Sequence, residues 1–512
     1  MLLVAAGVAS AATVVSSSRE GNSVFLTLSD GNARIEWLNE SSFRFSRRWE
    51  EELPKGSTAS SEPVLFTTSE TPEALTYATK YVTVTVSKRG VLVRTTDMNG
   101  GPMMADASEI ERRDGGVTWE RLAPAQARFF GLGARDDASI ELRGSRITGA
   151  KPFLISSLGY GEWHVAAGDY TFDVGRATPQ RYRIEARGTR NVDYYFFYGP
   201  APKQIFEQLL ILNGPIPWLS PSEFGLLRPS SIPASATVLN RPGLLETIHR
   251  LINASFSGEI LPAISLDAYE SRRAIQLGTV APMVAGSRPN AMNGTIRSEL
   301  TAYLTTYMQE ARERGLPMLR PLPMQFPKDA DAARVSDEFM LGDELLAAPL
   351  VDDRAAREIY FPMGIWTRLS DNSMFQGRKT VTVEGDELPL FSRNGAILPL
   401  GSNPMKLHYF PRLGGEFFIF ESDLGEYSQV HAGPAGDFMR LEMESKKDRD
   451  YEWVVHHLDR PHEITAGETT YLPVEIRERL RPGSWFYDAG NKNLHVRALA
   501  AANADVIINI AF

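Results

Sequence analysis

From Val24 to about Pro200 apolar and polar residues alternate in short runs, VFLTLSDG, ARIEWL, SFRFSRRW, YVTVTVSKRG and VLVRTT, set apart by Gly, Asp and Asn turns. A period of two with turns at such spacing predicts a β-sandwich. Past residue 200 the period changes. Pro202 stands where a helix start tolerates proline, and Ile205, Leu209 and Leu212 recur at helical spacing. The stretch 240–287 predicts a helix opened by Pro242, an apolar strand over 259–265, an acidic turn at Asp267, and a helix through Arg272, Gln276 and Leu277. A longer helix is predicted over 296–315, with Leu300, Leu304, Tyr307 and Ala311 on one face and Gly315 as its cap. Alternation then returns in FMLGDELLAAPLV, IYFPMGIWTRL, EFFIFESD, RLEMESKK, YEWVVHHL and DVIINIAF, which predict further β-sheet.

Composition narrows the function classes. The 512 residues suffice for several domains, and 43% hydrophobic with 23% charged residues is ordinary globular material. A net charge of −9 argues against a nucleic-acid partner, which needs a basic face. Without cysteine there is neither a disulfide framework nor a thiolate metal site. The apolar run from Leu2 to Ala12, with Ala9, Ser10 and Ala11 as a cleavage-like site, reads either as an export signal lacking its positive flank or as the first sandwich strand. The sequence leaves the compartment open. No segment reaches the about 20 apolar residues of a membrane span.

Hydrolysis of a glycosidic bond takes two carboxyl groups, about 5 to 5.5 Å apart for retention and about 6.5 to 9.5 Å for inversion. Carboxylates in the central stretch are Glu246, Glu259, Asp267 and Glu270. Asp267 follows a strand's C-terminal end, and its plain reading is a turn or cap residue for the next helix. The eight histidines have no metal-ligand spacing, and His456 and His457, adjacent in a predicted strand, point to opposite faces. GLGARD at Gly131 sits among strands and is a turn, and no nucleophile elbow is present. The aromatic run 194–198 is read as sandwich packing with one face buried. Neither a cofactor nor a metal is expected.

Several stretches resemble one family. FFGLGARDDASIELRG, PFLISSLGYGEWHV, YTFDVG, YRIEARG and VDYYFFYGPAPKQIFEQL look like the N-terminal sandwich and barrel entry of the α-glucosidases of glycoside hydrolase family 31. PIPWLSPSEFGLLR resembles the opening of its barrel, PMLRPLPMQFP its final barrel strand, and FMLGDELLAAPLV through ELPLFSRNGAILPL its first C-terminal sandwich. Laid on the family pattern, the general acid falls on Asn240, the sugar-holding Asp on Ser265, and the substrate-holding Arg and His on Ala285 and Ser287. The nucleophile strand has no counterpart. Asp267, two positions beyond Ser265 and so about 6.6 Å along a strand, does not simply replace the lost Asp. The resemblance also sets Trp163 and His164 as candidate sugar-binding residues near an active-site mouth. Between the Gln204 helix and Pro323 lie about 120 residues, room for three or four βα units of about 30 residues and not the eight of a closed barrel.

The expected fold is therefore α+β and multidomain. It comprises a galactose-mutarotase-like N-terminal β-sandwich over 13–200, a truncated (β/α) barrel-derived centre over 201–335, and two C-terminal β-sandwich domains over 336–405 and 406–512. Catalytic residues are not expected. The leading reading is a degenerate family 31 protein that binds carbohydrate or serves as a scaffold. A second is a diverged α-glycosidase using relocated carboxylates, Asp267 and Glu246. A third is a purely structural protein whose β-domains oligomerise or hold another protein.

Overall fold

A computed structural model describes residues 11–56, 62–113, 115–234, 236–269, 271–288, 292 and 294–512. Most of the leader-like segment, residues 1–10, lies outside the described residues, as does Glu270. The chain forms two compact units. The first runs to Arg135 and includes Ser139–Gly214 and Phe256–Gly258; the second holds Asp136–Ala138, Pro215–Ser255 and Glu259–Phe512.

In the first unit an eight-stranded antiparallel sheet runs in the order Val14–Glu20, Ser23–Leu28, Gly31–Asn39, Ser42–Arg48, Val192–Tyr198, Tyr160–His164, Phe153–Ser156, Phe129–Gly131. Two five-stranded sheets accompany it, one from Thr67–Glu70 to Pro102–Ala105 and one that includes Gly116–Leu122, Arg181–Arg187 and Asp169–Val174. Their alternating apolar residues meet in one core containing Trp37, Phe43, Trp119, Phe172, Tyr182 and Phe196. The aromatic strand Val192–Tyr198 is covered on both faces, a correction to the one-sided expectation. Tyr194 and Phe196 enter the core, while Phe197 is buried against Phe153, which meets Phe206 of the first helix, Pro202–Asn213 (α1). The interior also holds charge. Arg121 is fully buried between Asp106, at 3.1 Å, and Glu162, and its guanidinium lies 4.5 Å from the Tyr194 ring centre. Buried charges persist only when paired in this way.

The second unit opens with a four-stranded sheet in the order Leu226–Leu227, Met283–Ala285, Pro262–Ser265, Thr237–Val238, every pair parallel. Helix Leu244–Phe256 (α2) follows Thr237–Val238, and helix Arg272–Val280 (α3) follows Pro262–Ser265. Among the described residues this sheet is open, with Leu226–Leu227 and Thr237–Val238 at its edges. The strand over 262–265 starts three residues later than the apolar run predicted. Helix Thr301–Arg314 (α4) is preceded by a separate 3-10 turn, Ile296–Ser298, and stops at Gly315, whose φ of 68° is the left-handed conformation that glycine adopts without penalty.

Beyond α4 the chain is again β. A six-stranded sheet contains Leu319–Pro321, Phe339–Leu341, Leu345–Ala347, Leu390–Arg393, Ile365–Arg368 and Met374–Gln376, and its core packs Trp366, Phe361 and Phe391. Two further six-stranded sheets follow, one including Met405–Tyr409, Arg449–Val455 and Asn493–Ala500, the other Gly415–Glu421, Glu426–Ala435, Phe438–Ser445 and Ala504–Ala511. The chain is thus mostly β, in several sheets with few helices. Among the described residues no helix is long and apolar enough to cross a membrane.

Candidate functional site

The C-terminal ends of parallel strands carry the residues for which the sequence suggested chemistry. In the register Ser265 lies beside Ala285, Ala285 beside Leu227, and Ala263 beside Val238. Asn240, two residues past Val238, therefore reaches the level of Ser265. Its side chain takes the place of a strand: Nδ2 donates to the Ser265 carbonyl at 2.9 Å and Oδ1 accepts from the Ser265 amide at 2.8 Å. One primary amide thus satisfies both backbone groups of Ser265. A carboxyl could not do so in its ionised form, which has no proton to donate.

Ser265 leads into a 3-10 turn, Leu266–Ala268, that presents Asp267 to solvent. Both oxygens of Asp267 accept from Ser287, from its amide at 2.8 and 3.0 Å and from its hydroxyl at 2.7 Å. The Ser287 amide, then its hydroxyl, with a smaller contribution from Arg288, holds the Asp267 carboxyl below the usual range. The Arg288 guanidinium donates to the carbonyls of Leu266 and Tyr269, both at 3.1 Å, and the Tyr269 hydroxyl meets Thr247 Oγ1 at 2.6 Å. Thr247 Oγ1 also accepts from the Arg241 amide at 2.8 Å. The edge is therefore a closed web of hydrogen bonds among its own residues.

The structure brings Asn240, Ser265, Ala285 and Ser287 to this edge. Ala285 is 1% exposed and offers a ligand no polar group. Glu246, in the first turn of α2, is exposed, and its carboxylate occupies the space a Cβ at Gly243 would need. Glu259 accepts from Thr237 Oγ1 at 2.8 Å before the strands Thr237–Val238 and Pro262–Ser265, the end opposite Asp267. Trp163 and His164 belong to the first unit. Trp163 is half-buried with its ring centre 6.2 Å from that of Tyr195. His164 is only 2% exposed, enclosed by Trp119, Tyr170, Phe172 and Tyr194, and burial pushes its pKa well down. It presents no ring face to solvent.

Sequence reasoning missed a second carboxylate beside this edge. Asp136 receives Arg241 Nε at 2.6 Å and Arg250 at 3.0 Å. Although burial works against it, the two guanidiniums hold the Asp136 carboxyl below its ordinary value, so it carries no proton to donate near neutrality. Nothing local in the sequence marks it, since it lies 105 residues from Arg241. Below the edge, α3 is fixed at both ends. The Ser271 hydroxyl caps it by accepting from the Arg273 amide at 3.1 Å, and the buried Arg273 side chain reaches the carbonyls of Asp352, at 2.9 Å, and Asp386, at 3.0 Å. At the other end the buried Arg297 donates to the carbonyls of Gly278, Thr279, Ala281 and Pro282 at 2.7 to 3.1 Å. A cation at a helix C-terminus satisfies both the orphan carbonyls and the helix dipole. Among the described residues no group of three or more His, Asp or Glu side chains is arranged to hold a metal ion.

Residues 315–398 match the family described as Glycosyl hydrolase family 31 C-terminal domain. This match, with the relatives and folds that follow, supports a member of glycoside hydrolase family 31. Among its relatives, alpha-glucosidase 2 of Bacillus thermoamyloliquefaciens is 27% identical over 192 residues, which is 35% of this chain and 23% of the relative. An isomaltosyltransferase of Sporosarcina globispora is 30% identical over 237 residues, 41% of this chain and 21% of that protein. The chain thus matches less than a quarter of the length of either. In structure, a family 31 dextranase of Flavobacterium johnsoniae complexed with isomaltotriose superposes with a TM-score of 0.84 at 14% identity, over 98% of this chain and 100% of that one. A cycloalternan-forming enzyme of Listeria monocytogenes superposes at 0.82 and 15% identity, over 98% and 77%. Similarity at such identity concerns the fold.

Proposed function

We propose that this chain is a non-catalytic member of family 31 that binds carbohydrate, built around a shortened descendant of the family's barrel. The observation that carries the reading is the pairing of the Asn240 amide with both backbone groups of Ser265. Where the family pattern puts a proton donor, this chain has a structural bridge, and an ionised carboxylate there would face a carbonyl oxygen. The other carboxylates in the web are committed too, Asp267 to Ser287 and Asp136 to two arginines. Paired carboxyls supply a glycosidase with its nucleophile and its acid, and here neither role has an occupant poised for it. The open sheet of four parallel strands supports the shortened-barrel reading, and with it a central region over 201–335 between the β-rich arms 13–200 and 336–512.

Carbohydrate as the ligand class rests on the family and on what the edge still offers. The exposed Asp267 and Ser287 retain acceptor lone pairs suited to sugar hydroxyls. A glycan array run with the intact protein, beside a panel of aryl α-glycosides, tests both parts: retention of an α-glucan without release of the aryl group supports the proposal. Turnover refutes the non-catalytic part, and an empty array refutes the binding part in favour of a scaffold.

A further inference from the structure

Four of the eight histidines gather on one face of a C-terminal sheet, far in sequence from the parallel strands. His408 lies in strand Met405–Tyr409, His456 and His457 follow strand Arg449–Val455, and His495 lies in Asn493–Ala500. His408 Nδ1 and His456 Nε2 are 3.0 Å apart, and His456 Nδ1 is 2.8 Å from Asn372 Oδ1. Asn372 belongs to the turn joining Ile365–Arg368 to Met374–Gln376, in a different sheet. Its Nδ2 donates to the Asn491 carbonyl at 2.8 Å and to Asn493 Oδ1 at 3.0 Å, which fixes the amide orientation. Oδ1 must then accept from His456 Nδ1, His456 Nε2 is left as an acceptor, and His408 must donate from Nδ1. His456 is thereby neutral with its proton on Nδ1, and His408 carries a proton on Nδ1. A further link between the sheets, Thr367 Oγ1 to His457 Nε2 at 3.2 Å, also ends on an imidazole, whereas the two bonds from Asn372 Nδ2 to Asn491 and Asn493 do not. Asn372, His457 and Lys492 all hold a left-handed backbone, with φ of 63°, 52° and 52°, which non-glycine residues rarely adopt.

We propose that this imidazole chain is an acid-operated joint, closed while His408 and His456 are neutral and loosened when they take up protons, which weakens the hold on the turn 369–373 and leaves it tied to the sheet that carries the histidines through the Asn372 Nδ2 bonds alone. A proton added to His456 Nε2 turns an acceptor into a donor facing another donor. Among the described residues the carboxylates around the pair are already engaged. Lys406 on its own strand and Arg477 oppose a charge on His408, and Glu452, the carboxylate facing it, is already engaged by Arg477 at 2.7 and 2.9 Å and by His495 at 2.7 Å. His456 faces His408, His457 and His495 and is stacked on Phe410 with ring centres 4.3 Å apart, while His457 faces Arg412. In the turn, Asp371 accepts from Ser373, and across the joint Asp488 accepts from Gly490 and Asn491 and Lys492 pairs with Asp459. Burial first, then the neighbouring imidazoles, pushes His456 well below its ordinary pKa. His408, half-buried as a residue, is lowered by burial and by Lys406. The sign follows: a histidine depressed in the closed state binds its proton only on opening, so the joint is secure above about pH 6.5 and weakens as pH falls below it.

Hydrogen exchange of the full chain between pH 7.5 and 4.5, corrected for the intrinsic rate, tests the joint. Opening of residues 369–373 is expected to rise about tenfold per pH unit below 6.5 for one proton taken up, and about a hundredfold for two, while strand Phe438–Ser445 stays flat. His408→Gln with His456→Gln should abolish that slope. No slope in the wild type, or the same slope in the double variant, overturns the proposal. Should the variant not fold, nitrogen-15 spectra of the wild-type imidazoles at pH 7 decide: both rings must be neutral with the proton on Nδ1, and an Nε2–H tautomer on His456 overturns it.

Discussion

Replacing Asn240 by Asp introduces the acid that the family resemblance leads one to expect there and is expected to damage this protein without giving it activity. The Oδ1 bond from the Ser265 amide can survive, but the second carboxylate oxygen takes the position from which Nδ2 now donates, 2.9 Å from the Ser265 carbonyl. One hydrogen bond is lost, about 1 kcal/mol, and a part-buried acceptor is left facing another acceptor, a further 1 to 3 kcal/mol or so. The expected destabilisation at pH 7 is therefore about 2 to 4 kcal/mol, measured by urea unfolding of the two proteins side by side. The pH dependence gives a sharper signature. Protonated, the introduced carboxyl can donate to Ser265 again, so its folded-state pKa is raised above about 3.9. The deficit should be full above that raised value and should shrink as pH falls through it. An Asn240→Asp protein as stable as wild type at pH 7, or one that hydrolyses an aryl α-glucoside, refutes the reasoning.

Two further substitutions probe other buried polar groups. Glu338 is buried, accepts from the Tyr360 amide at 2.8 Å through Oε1, and has no partner for Oε2; burial pushes its carboxyl up to about 8. The folded chain thus holds a proton there that the unfolded chain releases at about 4.5, and stability falls as pH rises from about 4.5 to 8. Glu338→Gln should match wild type below pH 4 and exceed it by a few kcal/mol above pH 8; equal unfolding curves at pH 9 would contradict this. Arg297→Ala strips the last carbonyls of α3 of their donor and should cost about 3 to 5 kcal/mol, with Arg297→Lys recovering only part because an ammonium cannot span four carbonyls as a guanidinium does. A loss under about 1 kcal/mol would mean that water replaces the guanidinium.

Much of the architecture was written in periodicity. The alternation over 24–200 became antiparallel sheets, and Pro202 and Gly315 marked helix ends, whereas Asn240, Ser265, Ala285 and Ser287 were singled out by the family resemblance and not by periodicity. What the sequence did not disclose is which way polar groups point. Asn240 reads as a failed acid until its 25-residue reach to Ser265 shows a bridge, and Asp267 reads as a turn or cap residue for the next helix, whereas Ser271 is that cap and Asp267 accepts from Ser287. His164 follows strand alternation into the core, where no local signal distinguishes it from an exposed binding residue. His456 and His457 were assigned opposite faces, but the strand ends at Val455, and the left-handed backbone of His457 leaves the two rings 6.3 Å apart at one joint. Hydrogen bonds between distant segments decide each case, and periodicity carries no information about them.

The most direct test of the central claim is turnover of aryl α-glycosides by the wild-type chain and by Asp267→Asn. With Asn240 bridging Ser265, Asp267 held by Ser287 and Asp136 held by two arginines, wild type should release no aryl group above the no-enzyme rate, and the substitution should change nothing. Wild-type turnover at about one per second or more, in the ordinary range for enzymes, abolished in Asp267→Asn, would contradict the account and make Asp267 a relocated catalytic carboxylate.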